Sequence, residues 1–173
     1  MTRVPPGTRL LGSATLVADD PADHARNKPS FYADPVAWLV AETVDRALAD
    51  CAAAPVPDAA EDTGILVMSA TGTRRTMRRI AGSVPRSRVS PLRFAGANPG
   101  VLAGLPALRH GLRGPSLLLA AHPDDATPAA FTVIGGWFAD GHARHVFLVG
   151  LCGSAAGREL CSCLVLTAAG ADR

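Results

Sequence analysis

Few side chains in this sequence stand where their types and spacing suit a reaction. His122-Pro123-Asp124-Asp125 sets an imidazole beside two carboxylates, the raw material of general acid–base chemistry. Adjacent residues at a helix start do not face each other, and the helix dipole favours acids there. Asp124 and Asp125 therefore read first as helix-entry charges. His142 and His145 flank Arg144 in what reads as a loop. Two histidines three apart hold a metal only with further ligands, so a solvated turn is the simpler expectation. Cys161 and Cys163 alternate on an apolar run and face one side, which suits core packing better than a strained redox pair. Ser69 and Ser154 lack the Gly-x-Ser-x-Gly surroundings of a nucleophile elbow. Gly96 to Gly104 lacks the Gly-Lys-Ser/Thr of a phosphate loop. No metal and no cofactor is expected.

A second group of residues suggests recognition. Arg74, Arg75, Arg78 and Arg79 form two i,i+4 pairs, with Arg86, Arg88 and Arg93 following. Like charges at that spacing repel mildly, so the bland reading is a solvated basic face. The functional reading is a dock for an acidic protein, because complementary charge raises encounter rates. Aromatic residues do not interleave the arginines and no nucleic-acid motif is present, so no nucleic-acid partner is expected.

These residues need a scaffold, and the composition supplies one. The chain has 173 residues, 48% apolar and 18% charged, which fits one globular domain with a real core. Aromatics are 5%, so the core must pack through Ala, Leu and Val. The formal charge of +2 is too small to imply nucleic acid. Neither a signal peptide nor a run of about 18 apolar residues is visible, so a reduced, cytoplasmic protein without a membrane span is expected. Cys51, Cys152, Cys161 and Cys163 match no zinc spacing and read as reduced thiols.

Strand and helix patterns alternate along the chain. Arg9–Val17 is an apolar run and reads as a first strand. Asp34 is a plausible N-cap with Pro35 at the first helical position. From Pro35, Val36, Leu39, Val40, Val44, Ala47, Leu48 and Cys51 recur on one helical face, with Pro55 and Pro57 as the stop. Gly64–Ala70 is a continuous apolar run, as in a strand buried on both faces. Thr73–Ser83 reads as a helix with Met77 and Ile80 inward and the arginines outward. Asn98–Leu112 follows as a helix, Ser116–Ala121 as a buried strand, and Ala129–Phe138 as a helix capped by Thr127 or Asp125. His145–Leu151 and Leu160–Thr167 complete the strands. The alternation predicts a single α/β domain over 1–173, with helices on the faces of one sheet.

Several pieces in order resemble the amino-terminal region of β-ketoacyl synthases (ketosynthases) and their chain-length-factor relatives. Phe94-Ala95-Gly96-Ala97-Asn98-Pro99-Gly100 resembles the segment that ends in Asn and opens a helix. Gly114-Pro115-Ser116 resembles the start of the strand before the nucleophile, and Gly141, Val149 and Gly150 the close of the next unit. The resemblance covers most of the chain, weakly before residue 64 and better after residue 90. It implies half of a thiolase fold: three αβα layers around a mixed, mainly parallel five-stranded sheet. In that family a cysteine sits on the sharp turn after this strand, where helix dipole and backbone N–H groups favour thiolate and oxyanion. Counted from Gly114, that position falls on Pro123, which offers neither nucleophile nor N–H. The family's catalytic histidines lie in a carboxyl-terminal half that these residues do not match.

The resemblance thus implies a ketosynthase-like accessory subunit without catalysis, partnered by a ketosynthase or an acyl carrier protein, as a homo- or hetero-oligomer. Leu117, Leu118, Leu119, Phe131 and Ile134 are the expected subunit interface, and Arg74, Arg75, Arg78 and Arg79 the expected carrier dock. The alternative is a repurposed acyl-thioester enzyme in which His122 works with Asp124 or Asp125.

Overall fold

The computed structural model describes residues 4–27, 32–52, 57–86, 89–153 and 157–170. Five strands and five α-helices alternate: β1 (Thr8–Ala18), α1 (Pro35–Ala49), β2 (Thr63–Ser69), α2 (Arg74–Ser83), α3 (Pro91–Ala95), α4 (Val101–His110), β3 (Ser116–Leu119), α5 (Pro123–Ala139), β4 (His145–Gly153) and β5 (Glu159–Ala168). Short 3-10 turns occupy Pro21–His24, Pro57–Asp62 and Val84–Arg86.

The strands form one sheet in the order β1-β5-β4-β2-β3. β2 pairs in parallel with β3 and β4, while β5 runs antiparallel to β4 and β1. Four strands thus share one direction and β5 alone opposes them, the mixed, mainly parallel five-stranded sheet that the resemblance implies. The parallel pairs need crossovers, and α2–α4 and α5 supply them.

Each central strand buries both faces, so its side chains divide by period two between two cores. On one face Ile65, Val67, Phe147, Val149, Cys161, Cys163 and Val165 meet Val36, Leu39, Val40, Val44 and Ala47 of α1 and Leu102 of α4. On the other, Leu66, Met68, Val146, Leu148, Leu164 and Leu166 meet Ala126, Ala130 and Ile134 of α5. Burying each large aliphatic side chain contributes about 1.5–3 kcal/mol before entropy is counted. Ala37 and Ala41 of α1 pack with Leu105 of α4, where small side chains let the helices approach. The three αβα layers are therefore present. Cys161 and Cys163 are core residues, and Asp34 caps α1 by accepting from the Val36 N–H at 2.9 Å.

Several sequence expectations change. α1 ends at Ala49 with Asp50 as its C-cap, before either expected proline; Pro55 lies outside the described residues. Met77 is exposed; Thr76 and Ile80 are the inward residues of α2, because the helix meets the body on a narrow line. β3 is an edge strand and only half-buried, not a fully buried one. α5 begins at Pro123 with His122 as N-cap, so Pro128 sits inside it, and neither Thr127 nor Asp125 caps it. There Pro128 lacks the N–H that would bond the Asp124 carbonyl, an interior position that costs helix stability. His145 is not in a loop: it opens β4 and is buried.

Candidate functional site

The carboxyl ends of the parallel strands carry a wide cleft, as open α/β sheets dispose their ligand sites. Its volume is about 680 Å3, lined by Asp19 and Asp20 after β1, Thr71 and Gly72 after β2, Arg74, Arg75 and Arg78 of α2, and Gly153, Gly157 and Glu159 around the β4–β5 connection. Local chemistry explains how α2 comes to stand there. Ser69 Oγ accepts from the Gly72 N–H at 2.9 Å and so closes the turn after β2, with Gly72 at φ 50. That gives Ser69 a structural task rather than a nucleophilic one. Thr73 donates its hydroxyl to the Ala97 carbonyl, and the Thr76 N–H donates to Asp34 Oδ2 at 3.2 Å. The buried Asp34 carboxylate thus caps α1 and pins the first turn of α2 at once.

Charges in the cleft are unevenly partnered. Arg75 makes two hydrogen bonds to Asp20, at 2.6 and 3.1 Å, which hold the Asp20 carboxyl below its ordinary range. Arg74 and Arg78 form no ion pair among the described residues. Across from them Glu159 lies over Gly153, with its Oε2 buried and without a hydrogen-bond partner. Burial, and next the Asp34 charge, push the Glu159 carboxyl up, against the opposing pull of Arg74 and Arg75. Sequence reasoning missed Glu159. It opens an apolar strand and carries no motif, and only the β4–β5 pairing brings it across from α2.

The structure splits the arginine face in two. Arg74, Arg75 and Arg78 turn to the cleft, whereas Arg79 and Arg93 line a second groove with Tyr32, Ile80, Ser83 and Leu92. The same stretch exposes Met77, Val84, Val89, Leu92 and Phe94, so the basic surface is also apolar. Arg88 and Ser154 lie outside the described residues.

The turn where α5 begins does not assemble a reaction centre. Pro123 is the first residue of the helix that follows β3, with His122 as its N-cap. His122 Nδ1 accepts from the Asp124 N–H at 3.4 Å and lies 3.5 Å from Asp124 Oδ2, with both side chains in solvent. Asp125 is exposed beside them. Cys152 at the end of β4 is half-buried; burial and then the Asp124 charge raise its thiol, so it stays protonated. That environment opposes the thiolate that nucleophilic cysteines need.

Among the expected interface residues, Leu117, Leu118, Leu119 and Phe131 are half-buried against the chain's own cores. Ile134 is a correction. It is fully buried under α5, because it falls on the helix face toward the sheet, and it cannot reach a partner. The outer face of α5 presents Ala129, Thr132 and Gly135. His142 is exposed and His145 buried, and among the described residues no three of His, Cys, Asp and Glu converge as metal ligands do. Among those residues, too, no helix is long and apolar enough to cross a membrane.

Neither protein-family profiles nor curated protein sequences match this chain. Solved structures do. The ishigamide ketosynthase/chain length factor matches with a TM-score of 0.68 at 15% identity over 96% of this chain and 64% of that one. A type II polyketide-synthase acyl-carrier protein in complex with its ketosynthase bound to the hexaketide gives 0.73 at 13%, over 95% of this chain and 63% of that one. A ketosynthase in complex with its chain length factor from Xenorhabdus doucetiae gives 0.62 at 12%, over 96% and 80%. The chain thus spans a little under two thirds of the first two. With its three layers, its sheet order and these matches, the chain has the thiolase-like fold of ketosynthases and chain length factors.

Proposed function

We propose that this chain is a non-catalytic, ketosynthase-like accessory subunit of polyketide or fatty-acid-type biosynthesis, associating with a ketosynthase, an acidic acyl carrier protein, or both. The observation that carries the reading is Pro123 at the head of α5. The fold matches ketosynthases, yet the turn after β3 holds no nucleophile, and Asp124 and Asp125 place negative charge where a thiolate would form. Two surfaces support association. β3 is an edge strand with unpaired backbone groups along one side, a template for strand pairing between subunits. The stretch from Arg74 to Arg93 holds seven arginines and no acid, interleaved with exposed Met77, Val84, Leu92 and Phe94. An acidic carrier that also offers apolar side chains complements such a surface.

Native mass spectrometry of the chain alone and co-expressed with a ketosynthase encoded beside it tests the reading. A stoichiometric mixed complex is expected. A chain that ignores both the ketosynthase and the carrier sinks the proposal.

A second reading keeps thioester chemistry at His122, and the 3.5 Å approach of Asp124 favours it. It requires turnover of acyl-carrier or acyl-CoA thioesters that His122→Ala abolishes. The open, solvated setting of both side chains weighs toward the accessory reading, since a useful base needs an enclosed substrate.

A further inference from the structure

The cleft at the carboxyl ends of the strands is not needed for either reading above, and its lining calls for a ligand. Arg74 and Arg78, one turn apart, carry two guanidinium groups into it without a carboxylate partner. Arg75, between them in sequence, is already occupied by Asp20. From the opposite wall Glu159 offers an oxygen buried without a partner. At about 680 Å3 the space is of small-molecule size.

We propose that this cleft binds a free, low-molecular-weight phosphate monoester, held by Arg74 and Arg78 on the wall that faces Glu159. A tetrahedral anion has enough acceptors to satisfy both guanidinium forks at once. The site's polarity follows from its charges. Asp19, Asp20 and Glu159 face Arg74, Arg75 and Arg78, so the lining is neutral with Glu159 ionised and carries a net positive charge with it protonated. Among the described residues, Asp34, Cys152 on β4 and Cys161 on β5 also interact with Glu159, and Arg158 precedes it in sequence. Of these, Asp34 favours the protonated acid, and Arg74 and Arg75 oppose it. Binding therefore takes up a proton at Glu159, and affinity falls as pH rises through its elevated titration.

Calorimetric titration of the full chain tests this, with inorganic phosphate and glycerol 3-phosphate as probes. Sulfate, whose charge is constant from pH 5 to pH 8, reads the pH dependence of the protein alone. Saturable phosphate binding is expected. The Arg74→Ala/Arg78→Ala double variant should lose tenfold or more, while Arg113→Ala/Arg144→Ala, the same charge change at the other end of the sheet, should lose less than twofold. Glu159→Gln keeps a neutral donor and should bind sulfate as tightly at pH 8 as wild type does at pH 5. Circular dichroism confirms that each variant is folded. Absence of phosphate binding to the wild type overturns the proposal, as does equal loss in the two double variants. Glu159→Gln that keeps the wild-type pH dependence of sulfate binding removes Glu159 from the site.

Discussion

Arg75 Nη1 and Nη2 grip the two oxygens of Asp20 at 2.6 and 3.1 Å, across 55 residues of sequence. This fork joins the end of β1 to α2 and forms one rim of the cleft. Both side chains remain about half in solvent, so their pairing contributes only about 0.2–1 kcal/mol. Arg75→Ala should lower the thermal midpoint by a few degrees at most and leave the fold intact. The Asp20 carboxyl is lowered chiefly by the Arg75 hydrogen bonds. Its contribution is therefore present above the ordinary value of 3.8 and is lost as pH falls through the depressed folded value. Urea denaturation at pH 3 and pH 6 should show the Arg75→Ala deficit at pH 6 and a smaller one at pH 3.

His145 adds a second acid sensitivity of the same sign, over a higher pH range. It opens β4, its Nδ1 is buried without a partner, and burial, then Arg144, hold its titration below 6.5. Above about pH 6.5 the ring is neutral in folded and unfolded chains, and its environment costs nothing in protonation. Below that value the unfolded chain takes up a proton that the folded chain resists, so stability falls with pH down to the folded titration. His145→Leu should flatten stability between pH 5 and pH 7. At pH 7 it should be neutral or stabilising, since it removes an unsatisfied polar atom. A variant that keeps the full acid sensitivity would assign that sensitivity elsewhere.

Gly114 tests the fold rather than the site. A Cβ there would lie 2.6 Å from the Thr63 carbonyl carbon and oxygen, where the Gly114 N–H already donates to that oxygen at 3.2 Å. Ile65 N–H donates to the Pro115 carbonyl one step on, at 2.9 Å. The Gly-Pro pair thus steers β3 alongside β2, and Gly114→Ala should cost about 1–3 kcal/mol, read by chemical denaturation.

Splitting the arginine face makes a partner test specific. Arg79→Glu/Arg93→Glu should weaken binding of an acidic carrier protein at least tenfold and reduce its dependence on salt, because both residues line the outer groove beside exposed Leu92. Arg74→Ala/Arg78→Ala, which removes the cleft arginines, should weaken the carrier less. Surface plasmon resonance at two salt concentrations separates these outcomes.

At the head of α5, His122→Ala should leave acyl-thioester levels unchanged and cost at most about 1 kcal/mol, the worth of an N-cap. Thioester turnover by the wild type that vanishes in His122→Ala would instead favour the enzymatic reading.

The sequence alone determined most of the architecture. Continuous apolar runs at Gly64–Ala70 and His145–Leu151 suit strands buried on both faces, and they are the centre of the sheet. Asp34 with Pro35 announced α1, since capping and a fixed φ are local chemistry. The reading of Pro123 at the nucleophile position rests on counting from Gly114-Pro115, which residue order alone allows. Side-chain direction was the weak point. Met77 and Ile80 are three apart and both apolar, yet only Ile80 is buried, because helical periodicity does not say where the neighbouring wall stands. Ile134 was placed on a partner-facing surface for the same reason.

Only the tertiary structure decided the cleft. Asp20, Arg74, Arg75 and Glu159 come from three segments spread over 140 positions of sequence, and no local pattern joins them. They meet because β1, β2 and β4 point their carboxyl ends the same way while β5 enters from that end. Burial then gives Glu159 its altered proton affinity, and pairing removes Arg75 from the free charges but leaves Arg74 and Arg78. Both effects depend on distances through space, which residue order does not contain.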